Sequence, residues 1–334
     1  MSDSLIYKMS SGKPSKLFFF MKGFLKQCIP GCYYRNKRKK LLKTLDQRAD
    51  KEYILDRVAY YNKVTNSQRL PSEVVQDHKG SYFVFLDKMK NFGPSTFHKA
   101  YFFDLYDVAR FFNRERRISF IPGDVYFTPP YPTIVKSRLL KEDNHNSVVL
   151  KLDKLRHFMF VNDGKSFTEK KDMAIFRGKI RLSRQREQFL EMYFDSPMCD
   201  CGVVDKVCKN PAWKTPKKTI KQHLDYKFIM ALEGNDVASN LKWVMSSNSI
   251  AVMPRPTCET WFMEGKLVPN YHYIEIKNDL SDLEERLTYY INHPDEAQQI
   301  INHAHEYVAQ FMDEEREEFI QMLVMDKYLS NIRE

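Results

Sequence analysis

The chain has 334 residues, with 53 Lys and Arg against 43 Asp and Glu, a formal net charge of +10 at pH 7. Hydrophobic residues make up 43% and charged residues 29%, which excludes an intrinsically disordered chain and leaves room for two domains of ordinary size, each with its own core. The aromatic share of 14% suits the stacking of sugars or bases as well as core packing.

Residues 1–12 read as a disordered start. Lys13 to Lys43 then holds ten basic residues and no acidic one, so nearly all of the net charge sits there. The same stretch carries Leu17, Phe18, Phe19, Phe20, Met21, Phe24, Leu25, Ile29, Tyr33 and Tyr34. Apolar clusters flanked by lysines predict a segment lying in a membrane interface beside anionic head groups. A basic surface helix docked on the core through its Phe side is the alternative. Lys22 and Lys26 interrupt an apolar run already shorter than the ~20 residues of a transmembrane helix. A signal peptide is not expected, because the segment has no clean apolar core and no small-residue cleavage site. A basic stripe alone specifies no nucleic-acid motif, so no nucleic-acid partner is expected.

Residues 39–62 have helical spacing through Leu41, Leu42, Leu45, Ile54, Val58 and Tyr61. Residues 81–86 form a strand candidate and 103–113 a helix. Residues 118–121 read as a strand running into Pro122-Gly123-Asp124, with further strands at 147–152 and 157–161. Residues 183–193 are helical and 206–221 form a connector. Cys199, Cys201 and Cys208 invite a zinc reading, with Asp200 or Asp205 to complete it. The C-x-C spacing is unusual and no fourth ligand follows at a standard distance, so reduced thiols and no metal are expected. Apolar runs at 228–232, 249–253 and 271–276 alternate with helical stretches, the pattern of parallel βαβ units. Helices at 281–292, 294–311 and 314–329 close the chain.

The first of those runs leads into Gly234-Asn235-Asp236-Val237-Ala238-Ser239-Asn240, a polar, helix-starting segment. Strand, turn and helix N-terminus together are where α/β proteins hold anions, so Gly234 and Ser239 are candidate ligand contacts. Phe176-Arg177-Gly178-Lys179-Ile180-Arg181 sets basic groups beside a Gly that permits close backbone approach. Arg177, Gly178 and Arg181 are candidates for an anionic ligand, with Lys242 as another; a solvated charge is the plain alternative for each cation. Glu259 is read between strand and helix, where a carboxylate can cap the helix. Asp124, at a strand end, is a candidate general base, although Pro-Gly-Asp is also an ordinary turn. Lys136 and Arg138 are candidate contacts for an acidic acceptor. No D-x-D occurs in the chain. Such paired carboxylates hold a divalent ion, so no metal is expected.

Five motifs come in order: Phe176-Arg177-Gly178, His223-Leu224-Asp225-Tyr226-Lys227-Phe228, the EGNDVASNLKW wording from Glu233, Pro269-Asn270-Tyr271-His272-Tyr273, and Asp279-Leu280-Ser281-Asp282-Leu283. Together they resemble glycosyltransferase family 90 over roughly residues 120–310, and the EGNDVASNLKW wording is similar to its bacterial lipopolysaccharide branch. The resemblance implies a GT-B-like α/β fold, two Rossmann-like domains facing across a cleft with a C-terminal helix crossing back. Its boundaries would be a basic membrane-interface segment at 1–43, an acceptor-binding domain at 44–165, a nucleotide-sugar-binding domain at 166–312 and the crossing helix at 313–334. It implies an inverting, metal-independent transfer of a hexose from a UDP-sugar to a lipopolysaccharide or lipooligosaccharide core saccharide. Asp124 would be the base and Glu259 the ribose ligand, with no cofactor beyond the donor. The implied location is cytoplasmic, peripheral on the inner face of the inner membrane, with an anionic membrane surface as partner. One departure stands out. Where animal members carry S-F-R, this chain has Ser239-Asn240-Leu241, so Lys242, Arg177, Arg181 or the turn backbone would supply the missing charge. Two other classes stay open: a non-catalytic membrane-associated scaffold on the same fold, and a basic nucleic-acid-binding protein.

Overall fold

The computed structural model describes residues 12–72, 85–141, 143–180, 183–205 and 208–333. They form two compact units. The N-terminal unit takes residues 15–155, 258–263 and 311–333; the C-terminal unit takes 156–257 and 264–310, together with 12–14.

In the N-terminal unit, the strand Phe85–Lys88 runs antiparallel to Arg117–Phe120, which is followed in parallel by Thr133–Val135 and Ser147–Val149. Ile118, Phe120, Ile134, Val135, Val148 and Val149 are fully buried, the continuous apolar run expected of strands covered on both faces. The last helix, Glu314–Ser330, packs against the helices Lys51–Tyr61 and Lys99–Ala109. Its start is fixed by Asp313, whose side chain accepts from the Arg316 N–H, and by Glu314, Glu315 and Glu317 in the positive first turn.

The C-terminal unit holds a parallel sheet of five strands among the described residues, in the spatial order Ile274–Glu275, Ile250–Met253, Tyr226–Met230, Lys171–Gly178, Cys199–Val203. The parallel reading of this block thus holds, and the fold is mixed α/β. Phe176, Phe228, Met230, Val252 and Ile274 from the sheet meet Phe189, Leu190, Leu287 and Ile301 from the covering helices in one core.

Three expectations need correction. The helical run at 39–62 is two helices, Gly31–Thr44 and Lys51–Tyr61, joined by a single 3-10 turn at Leu45–Gln47. Between Leu45 and Ile54 the sequence offers little to bury, and the Arg48 guanidinium instead pairs with Asp50 at 2.7 Å at the start of the second helix. No strand forms at 157–161, because Lys154–His157 is a helical turn whose first N–H donates to the buried Asp104 carboxylate at 3.0 Å. The run at 271–276 joins the five-stranded sheet through Ile274 and Glu275, while Tyr273 makes an isolated bridge to Pro269. Of the candidate strand at 81–86, residues 81–84 lie outside the described residues. Among the described residues, no helix is long and apolar enough to cross a membrane.

Candidate active site

In the C-terminal unit the first strand, Lys171–Gly178, has the second strand on one side and the third, Tyr226–Met230, on the other. Strand order therefore reverses between them, and in open parallel sheets ligands bind outside the carboxyl ends at such a switch point. Gly178 and Gly234 both fall there. Two side chains that sequence reading missed brace these strand ends. The Arg186 guanidinium donates to Leu232 O at 2.8 Å and to Lys179 O at 2.9 Å, while the Ser183 hydroxyl donates to Glu233 O at 3.0 Å. The helix Arg184–Tyr193 thereby ties the ends of two adjacent strands together. Its sequence signal is a basic residue in the first helical turn, which the dipole alone would not favour. Asn240 donates to Met230 O at 3.0 Å and braces the same strand end.

Several predicted donor contacts are used internally. Arg177 pairs with Asp200 and donates to the carbonyls of Phe176 and Asp200, each at 2.8 Å. Burial pushes the Asp200 carboxyl up, but hydrogen bonds from the Tyr226 hydroxyl and Arg177 outweigh it and hold it at about 2. Gly178 makes room for a side chain: a Cβ there would lie 2.5 Å from the Phe176 ring. Lys242 has no exposed surface and its ammonium pairs with Glu264, so its charge is spent inside the fold. Ser239 is half-buried just before the helix Leu241–Met245, which has only five residues, too few for the dipole expected of a helix-starting segment. Arg181 lies outside the described residues. Cys199 and Cys201 are buried in a strand, burial pushing both thiols up to about 12. Among the described residues no three His, Cys, Asp or Glu side chains are grouped to hold a metal.

In the N-terminal unit, Asp124 follows the strand Arg117–Phe120 through Gly123, whose φ of 144° is open to glycine and strained for other residues. The Asp124 carboxylate accepts from the Lys136 ammonium at 2.6 Å. Lys136 is 1% exposed and Asp124 30%, so the pair presents its carboxylate end to solvent. Tyr126, two residues on, is exposed. Lys136 thus orients Asp124, and Arg138 has another partner.

Arg138 and Glu259 form a fully buried pair at 2.7 Å, with the Tyr60 hydroxyl donating to the other carboxylate oxygen. Glu259 does not sit in a loop. It lies in the strand Cys258–Thr260, antiparallel to Ser137–Leu139. Trp261 then stacks on Tyr61 at 3.8 Å and donates from Nε1 to Glu317 at 2.6 Å; Glu317 is also held by Arg57 and Lys151. Arg57 and Glu317 escaped sequence reading. The signal was there: each falls in an apolar helical row, Ile54–Val58–Tyr61 and Ile320–Val324–Tyr328, where a charge is out of place without a partner.

Residues 148–330 match glycosyl transferase family 90. The chain belongs to this family. O-glucosyltransferase LpsA of Dichelobacter nodosus is 37% identical over 277 residues, 83% of this chain and 83% of its own length. Protein O-glucosyltransferase 1 of Rattus norvegicus is 28% identical over 153 residues, 42% of this chain and 37% of its own length. The Homo sapiens protein of the same name is 27% identical over the same span. The family 90 match covers the whole parallel sheet of the C-terminal unit and the returning helix that carries Glu317, and the resemblance drawn from the five motifs is thereby confirmed. The chain is a glycosyltransferase.

Proposed function

We propose that this glycosyltransferase moves a hexose, glucose first among the candidates, from a UDP-sugar to a saccharide of the lipopolysaccharide or lipooligosaccharide core. The observation that carries the reading is the 37% identity to an O-glucosyltransferase across 83% of both chains. The acceptor class follows from the similarity of Glu233-Gly234-Asn235-Asp236-Val237-Ala238-Ser239-Asn240 to the bacterial lipopolysaccharide branch. Asp124 takes the proton of the acceptor hydroxyl as that oxygen bonds to the anomeric carbon and UDP departs, which inverts the centre. Lys136 positions the carboxylate. The donor diphosphate lies at the switch point of the C-terminal unit, against the turn from Glu233 to Ser239 that Arg186 and Asn240 brace. The GT-B-like pairing of two Rossmann-like domains belongs to the same proposal and rests on the family.

The test is to incubate the protein with UDP-glucose, UDP-galactose and UDP-N-acetylglucosamine and a core saccharide acceptor, with and without EDTA. Product mass gives the sugar, the anomeric proton coupling gives inversion, and undiminished turnover in EDTA gives metal independence. Failure of every donor to yield product with a core acceptor would reject the assignment.

A further inference from the structure

The helix Lys16–Gln27 has two apolar faces and only one is covered. Phe19, Phe20, the buried Gly23 and Phe24 form the docked face, Phe24 meeting the Phe103 ring edge-on at 4.9 Å. A Cβ on Gly23 would fall 2.5 Å from the Phe103 ring, so the helix backbone rests directly on the helix Lys99–Ala109. Lys26 locks the contact with an ion pair to Asp107 at 2.6 Å. At 100° per residue, Leu17, Phe18, Met21 and Leu25 fall together on the opposite side. All four are exposed, Leu17 by 74%, Phe18 by 63% and Leu25 by 67%, and Ile29 extends the stripe beyond the helix. A contiguous outward apolar stripe of this kind marks an interaction surface.

Its surroundings select the occupant. Of the ten basic residues between Lys13 and Lys43, the ion pairs take up Lys26, Lys37 and Arg38. Lys16, Lys22, Arg35, Lys39, Lys40 and Lys43 are exposed, and no acidic residue lies in the segment. A second copy of this chain would bring the same positive charge against itself, whereas an anionic bilayer complements both the charge and the stripe. We infer that the helix Lys16–Gln27 is a docking surface for an anionic lipid bilayer, lying in the interface plane with Leu17, Phe18, Met21 and Leu25 immersed and the flanking lysines among the head groups. This gives the predicted segment a specific geometry, and it stands independently of which sugar is transferred.

The test is flotation of the full-length protein with phosphatidylcholine vesicles, with and without about 30 mol% phosphatidylglycerol. Wild type should float with the anionic vesicles only, and less as salt is raised. Leu17→Glu/Leu25→Glu should lose at least about tenfold in vesicle affinity while keeping the wild-type melting temperature and its turnover of a soluble acceptor. Lys16→Glu/Lys22→Glu should lose the preference for anionic lipid. Equal flotation of wild type and the Leu17/Leu25 variant would overturn the proposal. So would a wild-type dimer that the variant converts to monomer without any vesicle binding, since a second copy would then own the stripe.

Discussion

In the C-terminal unit Lys242 and Glu264 meet with 0% and 1% of their side chains exposed; in the N-terminal unit Lys136 is equally buried at 1%, but its partner Asp124 keeps 30%. The chemistry of the two pairs is identical. What separates them is which member can be reached. A pair sealed at both ends has only an interior role, as a cross-link whose desolvation its Coulomb attraction offsets only in good geometry. A pair open at its carboxylate end can hold that carboxylate in place and still exchange a proton with a ligand. Exposure of one partner, more than residue type, therefore divides a structural ion pair from a candidate catalytic one.

The largest effect should come from breaking the open pair. Asp124→Asn keeps the shape and removes the proton acceptor, so sugar transfer should fall by about 10² to 10⁴ while UDP-sugar affinity barely moves. The acidic limb of the pH–rate profile should disappear with it. Transfer at near wild-type rate would return Asp124 to a turn-forming role.

Breaking the sealed pair should cost folding, not chemistry at the acceptor. Glu264→Gln leaves the Lys242 ammonium buried without its counter-charge, a loss of about 3–5 kcal/mol in stability by denaturant titration. Lys242→Met/Glu264→Leu should recover most of it. A double variant as unstable as the single one would show that the pair does more than neutralise itself.

His223 extends the contrast to a group buried as a neutral ring. Burial pulls its imidazole down from 6.5 to about 4. The unfolded chain therefore takes up the proton first, so this stability is complete above pH 6.5 and is lost as pH falls toward 4, by up to about 3 kcal/mol. His223→Gln should flatten the melting temperature across that window; an unchanged slope would place the acid sensitivity elsewhere.

The smallest effect concerns Arg177, whose guanidinium already serves Asp200. If it also reaches the diphosphate, Arg177→Ala weakens UDP binding about tenfold, the worth of one charge-assisted hydrogen bond. Unchanged affinity in a folded variant assigns it to Asp200 alone.

The parallel block was legible because apolar runs such as Phe228-Ile229-Met230 announce buried strands through composition alone. The order of those strands was not, since it depends on pairings between segments far apart in sequence. Glu259 shows the limit most clearly. Three residues, Cys258-Glu259-Thr260, form a strand only because Ser137–Leu139 lies alongside, and nothing nearby in sequence announces that partner. Lys242 failed for a related reason: a lysine after a polar turn looks like a ligand contact until Glu264, 22 residues later, is found against it. The place of Asp124 just beyond a strand was legible because its strand and its glycine are local in sequence.

The N-terminal unit is assembled from three separated stretches, and its buried Arg57 is neutralised by Glu317, 260 residues downstream. On a ribosome, which releases the chain from its start, that cation has no counter-charge until nearly the whole protein has been made. By then every strand of the parallel sheet has already emerged and is free to form. Domains that can close early do so during synthesis, so the C-terminal unit is expected to be structured while the first helices still wait for their last partner. The unit that holds residues 15–155 is thus the one completed last.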